Sequence, residues 1–355
     1  MNDPMQLQLL KGIGSADCMD ELRSLRDQVH DQMETLLYKC PIEPYNEQLN
    51  EVHDAVIQRS IILAEAEMAR AGKGSPPVPY AYILFGSGGR REQTLSSDQD
   101  SGVVYEDPVS DLEIIQQYFK ELSNIIVCHL QEAGYPPCEG NVLSSNPEWC
   151  MSQSAWAAKL NGWFEEPTWE AVRYLLIMAD SRCVYGEAWL VDELKDLFFI
   201  DMLNHSVIVR RMLENTLRHK VLIGIFGQLL KEPYGQDAGS LDIKYGAYIP
   251  MVNSIRLLSI QHGIRETSTL ARMKRLMEAG KLSEVDGTLY EGAFRLFVRL
   301  RLMSTEIRVN GLYSSSGKLS SSKLTKEITD ELKSSLRLGK KLQRAVFKQT
   351  MGRLT

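Results

Sequence analysis

The stretch ILFGSGGRREQTLSSDQDSGVVY, residues Ile83 to Tyr105, decides how this chain is read. An apolar run from Tyr80 to Phe85 ends in Gly86-Ser87-Gly88-Gly89. A polar segment follows, and Asp98 and Asp100 then stand two apart at the head of a second apolar run. The pattern predicts a strand, a glycine-rich turn, a short helix and a second strand. Side chains alternate along a strand, so both carboxylates fall on one side of its start.

Two familiar phosphate motifs are excluded by spacing. A P-loop requires Gly, four residues, then Gly-Lys-Ser/Thr, whereas Gly86 is followed five residues later by Arg91. A dinucleotide fingerprint would want glycine at 86, 88 and 91, and the third position is again Arg91. What remains is Gly-Ser, ten residues, then Asp-x-Asp. Gly86 lets the backbone approach a triphosphate, Ser87 offers a hydroxyl donor, and the amides of the following helix start favour an anion. Asp98 and Asp100 projecting together can hold Mg²⁺ (or Mn²⁺) that bridges phosphates and activates an incoming hydroxyl. Arg90 and Arg91 are near enough in sequence to neutralise phosphate charge.

Working outward, Ser15 to Cys40 has apolar residues at helical spacing and is closed by Pro41 and Pro44. A second helix is expected from about Asn46 to Ala71. GKGSPPVP, residues 72–79, breaks the chain before the central unit. Asp111 to Ala133 is again periodic as a helix. A further strand is expected at Glu139 to Ser145, and Glu170 to Leu197 reads as helical with a turn at Tyr185-Gly186. Trp149, Trp156, Trp163 and Trp169 crowd 21 residues and are read as packing anchors. From Leu203 onward the chain reads as almost all helix, with SSSGKLSSS, residues 314–322, as a flexible loop. The expected organisation is a helical pair (1–72), an α/β (or α+β) core with a small mixed sheet (73–195), and a C-terminal helical bundle (196–355).

Bulk properties narrow the function classes. The 355 residues can bury a sizeable core, and 44% hydrophobic with 24% charged residues is ordinary for a soluble protein. A net charge of −6 leaves no electrostatic footprint for non-specific nucleic-acid binding. No apolar run approaches the ~20 residues of a membrane span, and the first residues lack the order of a secretory signal. Six scattered cysteines without a C-x-x-C predict reduced thiols and a cytoplasmic setting.

Taken together, Gly86-Ser87…Asp98-x-Asp100 resembles the DNA-polymerase-β-like nucleotidyltransferase superfamily. Gly88-Gly89-Arg90-Arg91-Glu92 with Ser97-Asp98-Gln99-Asp100 is similar to the uridylyltransferases of PII proteins and the adenylyltransferases of glutamine synthetase. It looks most like the DUF294-type nucleotidyltransferases, which share this core and add a helical substrate-binding domain. Cys138-Glu139-Gly140, Asn146-Pro147-Glu148-Trp149 and Asp180-Ser181-Arg182 with Val184-Tyr185-Gly186 carry the resemblance through the first half. Leu241-Asp242-Ile243-Lys244 and Arg256 carry it into the second. The resemblance spans roughly residues 45 to 350. It implies Mg²⁺-dependent transfer of NMP from an NTP (UTP or ATP) to an acceptor hydroxyl on a protein, as in PII uridylyltransferases. The superfamily also implies a third carboxylate acting as general base and metal ligand. Glu139 is the nearest candidate, while Asp180 reads as an ion-pair partner of Arg182.

Two alternatives stay open: a non-catalytic nucleotide-binding regulator, and a transferase acting on a small aminoglycoside-like acceptor. Of the remaining features, the dipeptides His30-Asp31 and His53-Asp54 read as exposed helix residues. Lys318 and Lys323 read as solvated loop charges. Asp242 and Lys244 suit either a cleft or an ion pair.

Overall fold

The Tyr80–Phe85 run is apolar at every position, which is the pattern of a strand covered on both faces. A computed structural model describes residues 4–37, 40–202, 206–235, 237–307 and 313–354. In it β1 (Tyr80–Leu84) and β2 (Ser101–Tyr105) are buried at all five positions each. They pair antiparallel, Ala81 with Val104 and Ile83 with Gly102. β3 (Cys150–Ser152) joins β2 in parallel, and β4 (Arg182–Gly186) joins β1 antiparallel, so the mixed sheet runs β3-β2-β1-β4. The chain forms two compact units, residues 1–162 with 180–197 and residues 163–179 with 198–355.

The first unit holds this sheet and the N-terminal helices. Helices α1 (Pro4–Ser15) and α2 (Met19–Leu36) lead into the long α3 (Ile42–Arg70). The helix expected over Ser15 to Cys40 is α2, with α1 preceding it, and Pro44 lies inside the first turn of α3, where its missing N–H costs nothing. A four-residue helical turn, α4 (Gly86–Gly89), links β1 to the segment that leads into β2. Helix α5 (Leu112–Glu132) packs Phe119 flat on Tyr105, with ring centroids 4.5 Å apart. Glu65 of α3 accepts hydrogen bonds from Tyr80 Oη at 2.6 Å and Tyr185 Oη at 2.8 Å, which pins α3 to β1 and β4. Trp149 packs on Phe85, and Trp156 of α6 (Gln153–Glu165) donates its indole N–H to Val103 O at 2.9 Å. Trp163 is also buried, so three of the four clustered tryptophans are core, whereas Trp169 is half exposed.

Two expected elements differ. Residues 139–145 form a turn and an extended segment rather than a strand. Arg182–Gly186, read as helix, is β4 instead, because its pairing with β1 is non-local and invisible to periodicity. Helices α7 (Trp169–Met178) and α8 (Ala188–Met202) flank β4 in sequence.

The second unit is a helical bundle of α9 (Ser206–Leu217), α10 (Ile249–Gln261), α11 (Thr269–Glu278), α12 (Glu284–Met303) and α13 (Lys326–Leu354). Helix α10 is buried from Pro250 through Ile260 and forms its centre. Residues 218–230, expected as helix, are irregular. The serine-rich segment is not a free loop. β5 (Leu241–Asp242) pairs antiparallel with β8 (Lys318–Leu319), and the amides of Ile243 and Lys244 both donate to Gly317 O. A second small pair joins β6 (Thr305–Ile307) and β7 (Tyr313–Ser315). The six cysteines are free thiols. Among the described residues no helix is long and apolar enough to cross a membrane.

Gly89 fixes how closely α4 sits on the chain entering β4. A methyl group there would collide with the carbonyl oxygens of Asp180 and, at 2.8 Å, of Leu84. At Gly88 the same methyl would meet Leu84 at an ordinary 3.4 Å. Gly89→Ala is therefore expected to lower unfolding free energy by about 3 kcal/mol, and Gly88→Ala by about 1 kcal/mol or less, in urea titrations. Equal losses at the two positions would contradict this packing.

Candidate active site

Asp98-Gln99-Asp100 enters β2 from a segment that has no regular structure, so its position depends on specific bonds. Gln99 supplies them. Its backbone N–H donates to Pro136 O, and its Nε2 donates to Val127 O at 3.1 Å and Tyr135 O at 2.8 Å. The Gln99 side chain is thus drawn inward, which by strand alternation turns Asp98 and Asp100 to the other side. Asp98 is exposed and Asp100 partly so. Asp98, Gln99 and Asp100 line a small cavity of about 20 Å³ together with Tyr82, Leu84 and Gln93.

Gly86 meets this carboxylate pair. Its φ is +52°, the left-handed region, and a Cβ built on it would run into Asp100 Oδ2. Phe85 N donates to Asp100 O at 2.9 Å, so the end of β1 and the start of β2 are tied at this point. Glycine serves here twice: it tolerates the left-handed backbone, and it leaves room for the carboxylate. On the other side of Asp100 lies Cys138, whose thiol donates to the carboxylate. Burial first, and the Asp100 charge second, push that thiol up to about 12.

Glu139 lies on an exposed turn beside this site. Gln99 N bonds Pro136 O and Ser101 N bonds Val142 O, so residues 137–141 are the stretch alongside Asp100. Asn141, with φ +55°, closes the turn back on Cys138 O. Among the described residues no group of three or more His, Cys, Asp and Glu side chains is arranged to hold a metal. The pair Asp98 and Asp100 nevertheless suits Mg²⁺, which is held by one or two carboxylates and completes its octahedron from substrate phosphates and water.

The two arginines after the glycine turn are placed differently from each other. Arg90 is buried and donates to Glu92 at 2.8 Å and Asp180 at 2.6 Å. Its guanidinium ties the turn to the chain before β4. Asp180 is thus an ion-pair partner, as expected of a structural carboxylate, but of Arg90 rather than Arg182. Arg91 has a half-exposed side chain and donates through Nη2 to Asp54 at 2.9 Å. Ser87 is partly exposed at the turn itself.

The residues that sequence reasoning missed lie on α3. Asn46 Nδ2 donates to Arg91 O at 2.8 Å, and Asn50 Oδ1 accepts from Gln93 N at 3.1 Å. His53 Nε2 bonds Thr94 O at 3.0 Å, and Asp54 takes the Arg91 guanidinium. Positions 46, 50, 53 and 54 follow the helical repeat, so one face of α3 reads the backbone of residues 91–94. His53 and Asp54, expected at the surface, are buried because α3 is covered on more than its apolar face. The side chains of His30 and Asp31 lie outside the described residues. A carbonyl can only accept, so Nε2 carries the His53 proton and Nδ1 accepts from Tyr135 Oη at 2.7 Å. Arg26 of α2 lies 4.2 Å over the Tyr135 ring.

In the second unit the charges singled out in the sequence are taken up by the fold, including Lys318 and Lys323, which were expected to be solvated. Arg256 donates to Leu176 O and Asn253 Oδ1, Lys318 pairs with Asp237 at 2.9 Å, and Lys323 donates to Met303 O. Asp242 Oδ1 accepts from Tyr245 N at 2.8 Å, and Lys244 begins a π-helical turn through Tyr248.

His53 gives the site a pH signature. Burial, and then the Arg26 charge, lower its pKa to about 3 from the usual 6.5. With the folded value below the unfolded one, stability is fully present above about 6.5 and is lost as pH falls toward 3, by about 1.4 kcal/mol per unit. Between pH 7 and 5 the wild type is expected to lose about 2 kcal/mol more than His53→Gln in urea titrations. Parallel losses in the two proteins would exclude a buried neutral His53.

Two family models match successive parts of the chain. Residues 27–170 match the family described as "Putative nucleotidyltransferase DUF294". Residues 206–350 match its companion, "Putative nucleotidyltransferase substrate binding domain". No curated protein matches the sequence. With both matches in the family's order on one polypeptide, the chain belongs to the DUF294 nucleotidyltransferase family.

Proposed function

We propose that this protein transfers NMP from an NTP, ATP or UTP, to a hydroxyl of an acceptor protein in a Mg²⁺-dependent reaction. The observation that carries this reading is Asp100 packed against the side-chain-free Gly86, with Asp98 exposed beside it. Asp98 and Asp100 would hold the metal, which supplies charge neutralisation on the phosphates and a more acidic acceptor hydroxyl. Gly86 and Ser87 accommodate the triphosphate at the turn. Arg91 offers a cation, while Arg90 supports the turn from within through Glu92 and Asp180. The acceptor oxygen forms a bond to the α-phosphorus, the bond to pyrophosphate breaks, and the hydroxyl proton passes to a base. Glu139, on the stretch that runs alongside Asp100, is the carboxylate assigned that role in this proposal. Positioning and charge neutralisation do most of the work in such a transfer.

One observation favours a second reading. Among the described residues no third metal-binding group joins Asp98 and Asp100, which suits a regulator that binds Mg-NTP without turnover. That reading requires nucleotide binding with no pyrophosphate release, whatever acceptor is supplied.

The activity is tested with α-labelled ATP and UTP, Mg²⁺ and cell lysate as the source of acceptor. A labelled macromolecule is expected, and Asp98→Asn/Asp100→Asn is expected to lower labelling by roughly 100-fold or more. Glu139→Gln is expected to reduce transfer while leaving Mg-NTP binding in place. Equal labelling by the double variant would overturn the proposal. Turnover with purified small molecules alone would move the acceptor from protein to an aminoglycoside-like class.

A further inference from the structure

Asp54 is a buried carboxylate on α3 that the proposed chemistry does not use. Its Oδ1 accepts from Arg182 Nη2 at 2.7 Å, and its Oδ2 accepts from Arg182 Nη1 at 3.0 Å and Arg91 Nη2 at 2.9 Å. Arg182 Nη2 also donates to Gly88 O at 2.9 Å, within the glycine turn. Gly88 O in turn accepts from Arg91 N at 3.2 Å. One carboxylate therefore joins α3, the first residue of β4 and both the backbone and side chain of the turn that faces Asp100.

Arg91 itself is held in an unusual state. Its φ is +55°, a left-handed conformation that costs a non-glycine residue about 1 kcal/mol. Asn46 fixes its carbonyl and Asp54 fixes one guanidinium nitrogen. Half of its side chain remains exposed, against 9% for Asp54 and 19% for Arg182. The cluster of two arginines and one carboxylate carries a formal charge of +1, and its solvent-facing member is Arg91. A fork held by one prong leaves its other N–H groups to take an anion, and little side-chain freedom is left to lose on binding.

We propose that Asp54 is a positioning residue that aims Arg91 at a phosphate of the bound nucleotide. The anion part rests on the nucleotidyltransferase reading; the tether itself does not. Asp54 does not touch substrate. It acts through Arg91 and, by way of Arg182 and Gly88 O, through the shape of the turn.

The test has two arms on the full chain. In the first, amide hydrogen exchange is followed without ligand for wild type, Asp54→Asn and Arg91→Ala. Arg91 N, Glu92 N and Gln93 N all have acceptors in the folded turn. Exchange in residues 86–94 is expected to quicken about tenfold in Asp54→Asn, with residues 249–303 unchanged. Unchanged exchange at the turn overturns the proposal.

In the second arm, calorimetry measures binding of Mg-ATP and of inorganic tripolyphosphate with Mg²⁺. Arg91→Ala is expected to weaken both about tenfold and Asp54→Asn about fivefold, with the double variant no weaker than Arg91→Ala. Additive losses, or tight binding by Arg91→Ala, overturn the proposal. Arg91→Ala alters a half-exposed side chain and remains informative if Asp54→Asn fails to fold. Asp54→Glu, which keeps the charge, is expected to restore part of the affinity. Failure of the wild type to bind either probe overturns the nucleotidyltransferase reading and the anion role together. Exchange in the first arm then still decides whether Asp54 holds the turn.

Discussion

Everything at the candidate site depends on the grip of α3 on residues 91–94. Between the glycine turn and Asp98 the chain has no regular secondary structure of its own, so its polar backbone must be satisfied elsewhere. Asn46, Asn50 and His53 satisfy it in register, and Asp54 adds the Arg91 side chain. Each such bond is worth about 1 kcal/mol net, but leaving its buried partner unpaired costs 1–3 kcal/mol, a rough range that makes the loss larger than the gain. The path of the loop is thus conditional on α3, which is part of the candidate site's architecture rather than an appendage to it.

The charges around the turn divide into two networks with different exposure. Arg90 with Glu92 and Asp180 sums to −1 and is buried. Arg91 and Arg182 with Asp54 sum to +1 and open to solvent at Arg91. A buried pair contributes little net stability after desolvation, yet it strongly penalises arrangements that separate its members. Arg90 therefore specifies where α4 sits relative to the chain before β4. Gly89 does the same by steric means, since only a residue without a side chain fits against Asp180 O. Two independent constraints converge on one distance.

The parts of this site legible in the sequence were those set by neighbours in the chain. Gly86, Ser87, Asp98 and Asp100 follow from the ends of two apolar runs, which also give β1 and β2, and α5 follows from its helical period. The parts that were not legible depend on long-range partners. β4 is an edge strand with only Val184 fully buried, so its sequence carries no clean alternation. SSSGKLSSS looked unstructured, but Leu241 and Asp242 give it a partner more than 70 residues away in the chain. His53 and Asp54 were hidden because apolar Leu49, Val52 and Val56 dominate the periodicity of α3. The polar set at 46, 50, 53 and 54 has the same repeat and was a readable signal. Adjacent Arg90 and Arg91 looked equivalent, and only their carboxylate partners separate them.

A site with two carboxylates from one strand end has a thermodynamic consequence under the proposed activity. Asp98 and Asp100 offer a divalent cation at most a few of its six positions, so the rest must come from triphosphate oxygens and water. Affinity for the cation alone is then weak, and each ligand raises the affinity for the other by the same factor. Arg91 contributes to one side of this coupling only, because it meets the anion and repels the cation. Its tether to Asp54 moderates that repulsion by placing a negative charge beside the guanidinium, while leaving the cluster net positive toward phosphate. Under the proposed activity the acidic pair and the basic cluster would be complementary halves of one site, the first selecting the metal and the second selecting the charge that the metal must bring with it.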